Sequence, residues 1–275
     1  MRKSSTKYSL HQLRKPQIIS LIEDNNRQQY QALYSNCANV RVVQDDHSFR
    51  IESNIHQRYF NRVFYYKSHQ ADGVKKIQEI IQQYHNLNVP FIWFVGPWND
   101  DDHLVAILKR EGLQLSRQET GMAIDLEAHA PEFNLRRDVT IRQAQTNQEL
   151  KDWLIPIVES FQYTSEISQF LAKTFQEKKI LSNPSWKFYI GYLDEKPVAA
   201  SRLFLQDGVA GIHHVGTLPA YRGRGLGRAM TINTLLEAVK MGYQMGVLRA
   251  SSMGINIYKK IGFQPFSTYC FYTSP

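Results

Sequence analysis

The sequence predicts an α/β (α+β) chain of two tandem domains, residues 1–130 and 131–275, each a sheet flanked by helices. Three observations predict it. Strand-like and helix-like periodicities interleave along the whole length. The run L-V-A-I-L-K-R-E-G-L (104–113) is echoed by N-I-Y-K-K-I-G-F (256–263): a short helix, a basic pair, a glycine stop and an apolar residue. Between the two halves lies E-A-H-A-P-E-F-N-L-R-R-D (127–138), polar and proline-bearing, which suits a linker. The second half carries a glycine-rich segment that the first half lacks, so the first half reads as a degenerate copy of the same fold.

Composition narrows the class. With 275 residues the chain has ample core for one large or two ordinary domains. Its 43% hydrophobic content sets it apart from disordered chains. No apolar run approaches the roughly 18 residues of a membrane span, so no membrane association is expected. The N-terminus has basic residues with no apolar core behind them, unlike a secretory signal. Cys37 and Cys270 are far apart and match no metal spacing, so no metal site is expected. They fit a reducing compartment, the cytoplasm. The net charge is +8. Residues 1–130 hold 16 basic against 14 acidic side chains and the remainder 17 against 11, an excess of +2 and of +6. The basic residues are scattered, with no run of five, so a solvated surface with a local phosphate site is favoured and nucleic acid is not an expected partner.

In order, residues 7–35 read as helical, with Leu10, Leu13, Ile18 and Leu21 periodic and Pro16 a break. Residues 39–67 alternate as strands. A helix is expected over 72–85, a buried strand over 91–95 between Pro90 and Gly96-Pro97, a helix over 100–111 closed by Gly112, and a strand over 117–126. The second half gives a strand over 139–144, helices over 148–161 and 165–181, and strands over 186–193 and 198–206. The turn Asp194-Glu195-Lys196-Pro197 joins those two strands, and Asp207-Gly208 leads into a third over 209–217. After the glycine segment come a helix, a strand over 244–249, a helix over 254–260 and a last strand over 263–272.

The stretch V-G-T-L-P-A-Y-R-G-R-G-L-G-R (215–228) carries the chemistry. Its order is strand, glycine-rich turn, helix. Such a turn suits an anion, because glycines let a phosphate approach the backbone and the first helical N–H groups have no intrahelical partner. Arg222, Arg224 and Arg228 add charge. The nucleotide-triphosphatase loop is absent, and Gly223, Gly225 and Gly227 alternate, which is not the dinucleotide spacing. The pattern R-x-x-G-x-G, met by Arg222, Gly225 and Gly227, resembles the acetyl-CoA pyrophosphate loop of the GNAT superfamily of N-acetyltransferases. A second segment, A-S-S-M-G-I-N-I-Y-K-K-I-G-F (250–263), resembles the segment of that family ending L-Y-x-K-x-G-F, through Ile257, Tyr258, Lys260, Gly262 and Phe263.

The resemblance implies two GNAT-like domains with mixed, mostly antiparallel sheets, the C-terminal one splayed between its fourth strand (209–217) and its fifth (244–249). It implies acetyl-CoA as donor, with backbone groups of Val215, Gly216 and Thr217 on the pantetheine arm. Amides of Arg222, Gly223, Arg224, Gly225, Leu226, Gly227 and Arg228 would hold the pyrophosphate. A primary amine, on a small molecule or a peptide, would attack directly in a ternary complex, and a strand N–H could stabilise the oxyanion. Tyr258 matches the tyrosine that protonates the leaving thiolate; packing of the last helix is the other reading. His213 stands where members often carry a glutamate. It could act as base directly or through water, or it could only shape the site. Strand alternation puts His213, Val215 and Thr217 on one face and turns His214 away.

Ser251 replaces a frequent asparagine, and can still bond the donor. Gly254 replaces a frequent alanine. These departures and the missing glutamate leave a second reading open, a non-catalytic module that binds or senses acyl-CoA. The acceptor is not written in the sequence, although Phe161, Tyr163, Glu166 and Phe170 would suit a cationic amine with an apolar part. A monomer or a homodimer is expected.

Overall fold

The structure is a computed structural model; it describes residues 10–35, 37–46, 48–66, 73–98, 102–130 and 138–274. A 3-10 turn, Leu10–Gln12, precedes α1 (Lys15–Tyr34). Pro16 starts this helix instead of breaking it: in a first turn its missing N–H has no partner to lose. Strands β1 (Val40–Gln44), β2 (Ser48–Ser53) and β3 (Arg62–Tyr66) are followed by α2 (Gly73–Asn86), β4 (Ile92–Val95), α3 (Asp102–Arg110) and β5 (Gln114–Asp125). The segment expected to be a linker opens with a helical turn, α4 (Leu126–His129), capped by Asp125, whose carboxylate accepts from the Ala128 N–H at 3.1 Å. The rest of that expectation, 131–137, lies outside the described residues.

The second half follows as β6 (Thr140–Gln143), α5 (Asn147–Phe161), α6 (Ser165–Glu177), β7 (Trp186–Leu193), β8 (Lys196–Gln206), β9 (Val209–Thr217), α7 (Leu226–Lys240), β10 (Met245–Ser251), α8 (Ile255–Ile261) and β11 (Gln264–Thr273). The tight turns come from residues that accept left-handed backbone. Asp194 and Glu195 have φ of 47° and 57°, and Asp207 and Gly208 have φ of 48° and 79°. Lys196 and Pro197, expected in the first of these turns, already belong to β8.

The fold is mixed α/β, its sheet mostly antiparallel and flanked by helices. The chain forms two compact units, and they do not follow a linear division at residue 130. One comprises residues 1–26 and 121–266, the other 27–120 and 267–275. Each half of the chain supplies the same order of elements, strand-strand-strand-helix-strand-helix-strand, as β1 to β5 and as β7 to β11. Pairing repeats too. β1, β2 and β3 are antiparallel neighbours and β3 pairs β4 in parallel. β7, β8 and β9 are antiparallel neighbours and β9 pairs β10 in parallel.

In the unit of residues 27–120 and 267–275, β4 pairs the C-terminal strand, with Cys270 opposite Val95 and Thr273 opposite Ile92. Its core gathers Ile77, Ile81, Tyr84, Trp93, Ile107 and Tyr272. In the unit of residues 1–26 and 121–266 the strand order is β5-β10-β9-β8-β7-β6. Leu10, Ile18 and Ile22 pack on Ala123, Val209, Met245 and Val247. Ile232, Leu235 and Ala238 of α7 pack with Ile124, Leu203, Ile212 and Leu248. No helix among the described residues is long and apolar enough to cross a membrane.

Candidate functional site

The glycine segment begins where β9 ends. Pro219–Tyr221 make a 3-10 turn, and Gly223 and Gly225 follow with φ of 76° and 77°, a conformation open to glycine at little cost. Gly225 is the N-cap of α7 and brings no side chain to it. The first intrahelical bond runs from the Ala229 N–H to the Gly225 carbonyl, at 3.0 Å. The amides of Leu226, Gly227 and Arg228 therefore have no helical carbonyl to reach and stand at the positive end of a 15-residue helix. Leu226 offers only its amide, because its side chain is buried in the core. A Cβ added at Gly227 would meet only the Thr217 hydroxyl, at 3.9 Å, so the loop's approach stays open. Arg222, Arg224 and Arg228 are exposed. Arg224 lies over the Tyr221 ring at 5.2 Å and Lys196 at 5.6 Å, which gathers further positive charge beside the turn. These uncapped amides and exposed guanidinium groups fit a pyrophosphate.

Beside this loop the parallel strands part. The β9–β10 register runs from Val209 opposite Met245 to Gly211 opposite Val247 and stops there, although β9 continues to Thr217 and β10 to Ser251. The cleft expected between the fourth and fifth strands of this domain is thus present. On its β9 side, Val215 packs on the core shared with α7. Gly216 lies under α5, where a Cβ would stand 3.0 Å from the Ser160 hydroxyl and 3.1 Å from Ile157. The Thr217 carbonyl accepts from that hydroxyl at 2.9 Å and from Arg222 Nε at 3.4 Å.

On the β10 side, exposed Ser251 ends the strand, and its carbonyl accepts from the Gly254 N–H at 3.0 Å. Tyr258 is half-buried. Its ring meets Phe263 edge-on, centroids 5.9 Å apart, and covers Gly254 so closely that a Cβ there would stand 2.8 Å from Tyr258 Cε2. The glycine at 254 is thereby explained: an alanine would push the tyrosine ring aside. Gly262, at φ 117°, ends α8 beneath the His129 ring, 1.9 Å from where a Cβ would go.

The expected alternation along β9 fails at one residue. Arg202 pairs with His213 and Ala200 with Gly216, so one residue on β8, Ser201, lies against two on β9, His214 and Val215. The extra residue makes a bulge at His214, whose φ is 50°. His213 and Gly216 therefore share a face, while Val215 turns to the α7 side. His214 is not turned away from His213 either. It lies on the α5 side, with ring centroids 6.0 Å from Trp153 and 5.4 Å from Phe161, and its Nε2 is 3.2 Å from the Tyr163 hydroxyl. His213 is half-buried, and its Nε2 is 3.1 Å from Asn25 Oδ1 on α1. Burial pushes its pKa well below the usual histidine value, and the positive charges of Arg202 and Arg249 push it further the same way. The ring is a neutral imidazole at physiological pH. Asn25 and the Tyr163–His214 pair carried no signal in the sequence, because only the bulge and the packing of α1 and α5 bring them to β9.

Residues 184–265 match the model of the acetyltransferase (GNAT) domain. No curated protein is recognisably similar in sequence. Among solved structures, a GCN5-related N-acetyltransferase from Kribbella flavida is similar with a TM-score of 0.70 at 17% identity, over 93% of this chain and 96% of that one. A GCN5-related N-acetyltransferase from Sphaerobacter thermophilus is similar at 0.62 and 15% identity, over 85% and 82%. A tandem GNAT protein from the clavulanic acid biosynthesis pathway is similar at 0.62 and 12% identity, over 93% and 95%. Residues 184–265 thus carry the match to the acetyltransferase (GNAT) domain, in a chain with the fold of GCN5-related N-acetyltransferases.

Proposed function

We propose that the protein is an acetyl-CoA-dependent N-acetyltransferase that passes an acetyl group to a primary amine by direct attack in a ternary complex. The observation that carries this reading is the parting of β9 and β10 after Gly211 and Val247, beside the uncapped, arginine-flanked start of α7. The amides of Leu226, Gly227 and Arg228 would hold the pyrophosphate, with Gly223 and Gly225 shaping the turn and Arg222 and Arg224 supplying charge. Backbone groups of Val215, Gly216 and Thr217, with Ser251 across the cleft, would line the pantetheine arm. Bound acetyl-CoA supplies an activated acyl thioester.

The chain's own residues manage the protons. His213, neutral at physiological pH, takes a proton from the incoming ammonium, directly or through a water. Tyr258, held between Gly254 and Phe263, gives its hydroxyl proton to the departing sulfur and is reprotonated, through solvent, by the second proton that the nitrogen loses as it becomes the amide. The acceptor is a cationic amine with an apolar part. Phe161, 44% exposed and stacked on Tyr163 with centroids 5.6 Å apart, offers the apolar surface, and exposed Glu166 the charge. The setting is cytoplasmic, in keeping with two cysteines that are not disulfide-bonded.

Calorimetric titration of the full chain with acetyl-CoA tests the donor site. A one-to-one complex that Gly225→Glu abolishes is the expected result. An undiminished complex in that variant would remove the loop from the donor site.

A further inference from the structure

Asn25 and His213 are 188 positions apart in sequence and bonded in the fold. Asn25 is 2% exposed and sits in α1, outside the 184–265 segment of the acetyltransferase match. Its amide is held at both ends. Nδ2 donates to the Phe204 carbonyl at 3.3 Å, and Oδ1 lies 3.1 Å from His213 Nε2. A carbonyl can only accept, so the bond to Phe204 fixes which end of the amide is nitrogen. The oxygen must then face His213, and an amide oxygen also can only accept. His213 Nε2 therefore carries the hydrogen, and in the neutral ring the basic lone pair is on Nδ1.

Gly211 keeps room for this arrangement. A Cβ there would stand 1.8 Å from Asn25 Oδ1 and 2.7 Å from His213 Nε2. Two cations act on the ring, Arg202 opposite it on β8 and Arg249 on β10, and the partner from α1 is a neutral amide. A carboxylate at position 25 would favour the imidazolium; the amide holds the ring without doing so.

We propose that Asn25 is a positioning residue that holds His213 as the Nε2–H tautomer and presents Nδ1 as its proton-accepting atom. The proposal rests on the reading of His213 as the base. It also makes the N-terminal helix a part of the site.

The test is nitrogen-15 NMR of the full chain labelled at histidine, with the His213 signals identified by their loss in His213→Gln. Two-bond proton–nitrogen couplings in the unaltered protein should show a single neutral Nε2–H tautomer. Asn25→Ala should replace it with a mixture of both tautomers. Asn25→Asp should raise the ring's proton affinity at least tenfold, and should move the acid limb of tyramine acetylation to higher pH. An Nδ1–H tautomer in the unaltered protein would overturn the proposal without any reference to catalysis. So would a spectrum that Asn25→Ala leaves unchanged. If the spectra are as expected but His213→Gln acetylates tyramine at the unaltered rate, the base reading fails, and with it the positioning role, leaving a structural contact only.

Discussion

On the proposed mechanism Tyr258 gives a proton and His213 takes one, and packing holds each ring in place. Tyr258→Phe removes one hydroxyl and leaves the ring between Gly254 and Phe263. Acetyl transfer should fall by about 100-fold or more, the range of a lost general acid, with acetyl-CoA affinity kept. Steady-state rates and calorimetry on the same variant check both halves. His213 gives a pH prediction. Its folded pKa lies below the value near 6.5 of an unfolded histidine, so as pH falls below about 6.5 the unfolded chain binds a proton that the folded one refuses. Folding stability should drop on acidification through that window, and melting curves of His213→Gln should drop less. Gly211→Ala should cost about 1–3 kcal/mol in denaturant melts, because its Cβ displaces the Asn25 amide and breaks a buried bond. At this scale the sequence was legible where a motif fixes local structure, as with the glycine-rich turn between β9 and α7. It was not legible where one extra residue in β9 reverses the alternation. A bulge depends on which residue of β8 lies opposite, and no periodicity in β9 records that.

The decisive element is α7 with the turn before it. Three glycines, a missing side-chain cap and exposed arginines leave its first amides directed at whatever binds there. Gly225→Glu puts a Cβ on a residue at φ 77° and a negative charge where the proposed pyrophosphate would sit. Acetyl-CoA affinity should fall roughly 100-fold or more by calorimetry. Most elements of the chain could be read from the sequence because their ends are chemical. Thr146 and Glu149 form a capping box for α5, and Asp-Glu and Asp-Gly make the tight hairpins of β7–β8 and β8–β9. Pro16 misled because a proline at the start of a helix and one inside it look alike until the first turn is known.

For the whole molecule, the division into units matters most. Residues 10–26 and 121–130 fall in the same compact unit as residues 184–265, which a division of the chain at residue 130 does not follow. A chain beginning at residue 131 would lack the buried side chains of Leu10, Ile18, Ile22, Met122, Ile124 and Leu126. At about 1.5–3 kcal/mol each, their loss rivals the 5–15 kcal/mol by which a domain is usually stable. Such a chain should show no cooperative thermal transition; a sharp one would contradict this packing. The repeat of element order was legible because it is written locally, in the echo of 104–113 by 256–263. The placement of β11 beside β4 and of β5 beside β10 was not, because a strand's partner is chosen by packing far along the chain. The central claim is acetyl transfer at the β9–β10 cleft. Mass spectrometry of tyramine, polyamines, amino sugars and peptide N-termini, each incubated with acetyl-CoA and the full chain, tests it most directly. At least one amine should gain a single acetyl group with the unaltered protein and far less of it with Tyr258→Phe. Tight acetyl-CoA binding with no acetylated product from any of these amines would contradict it.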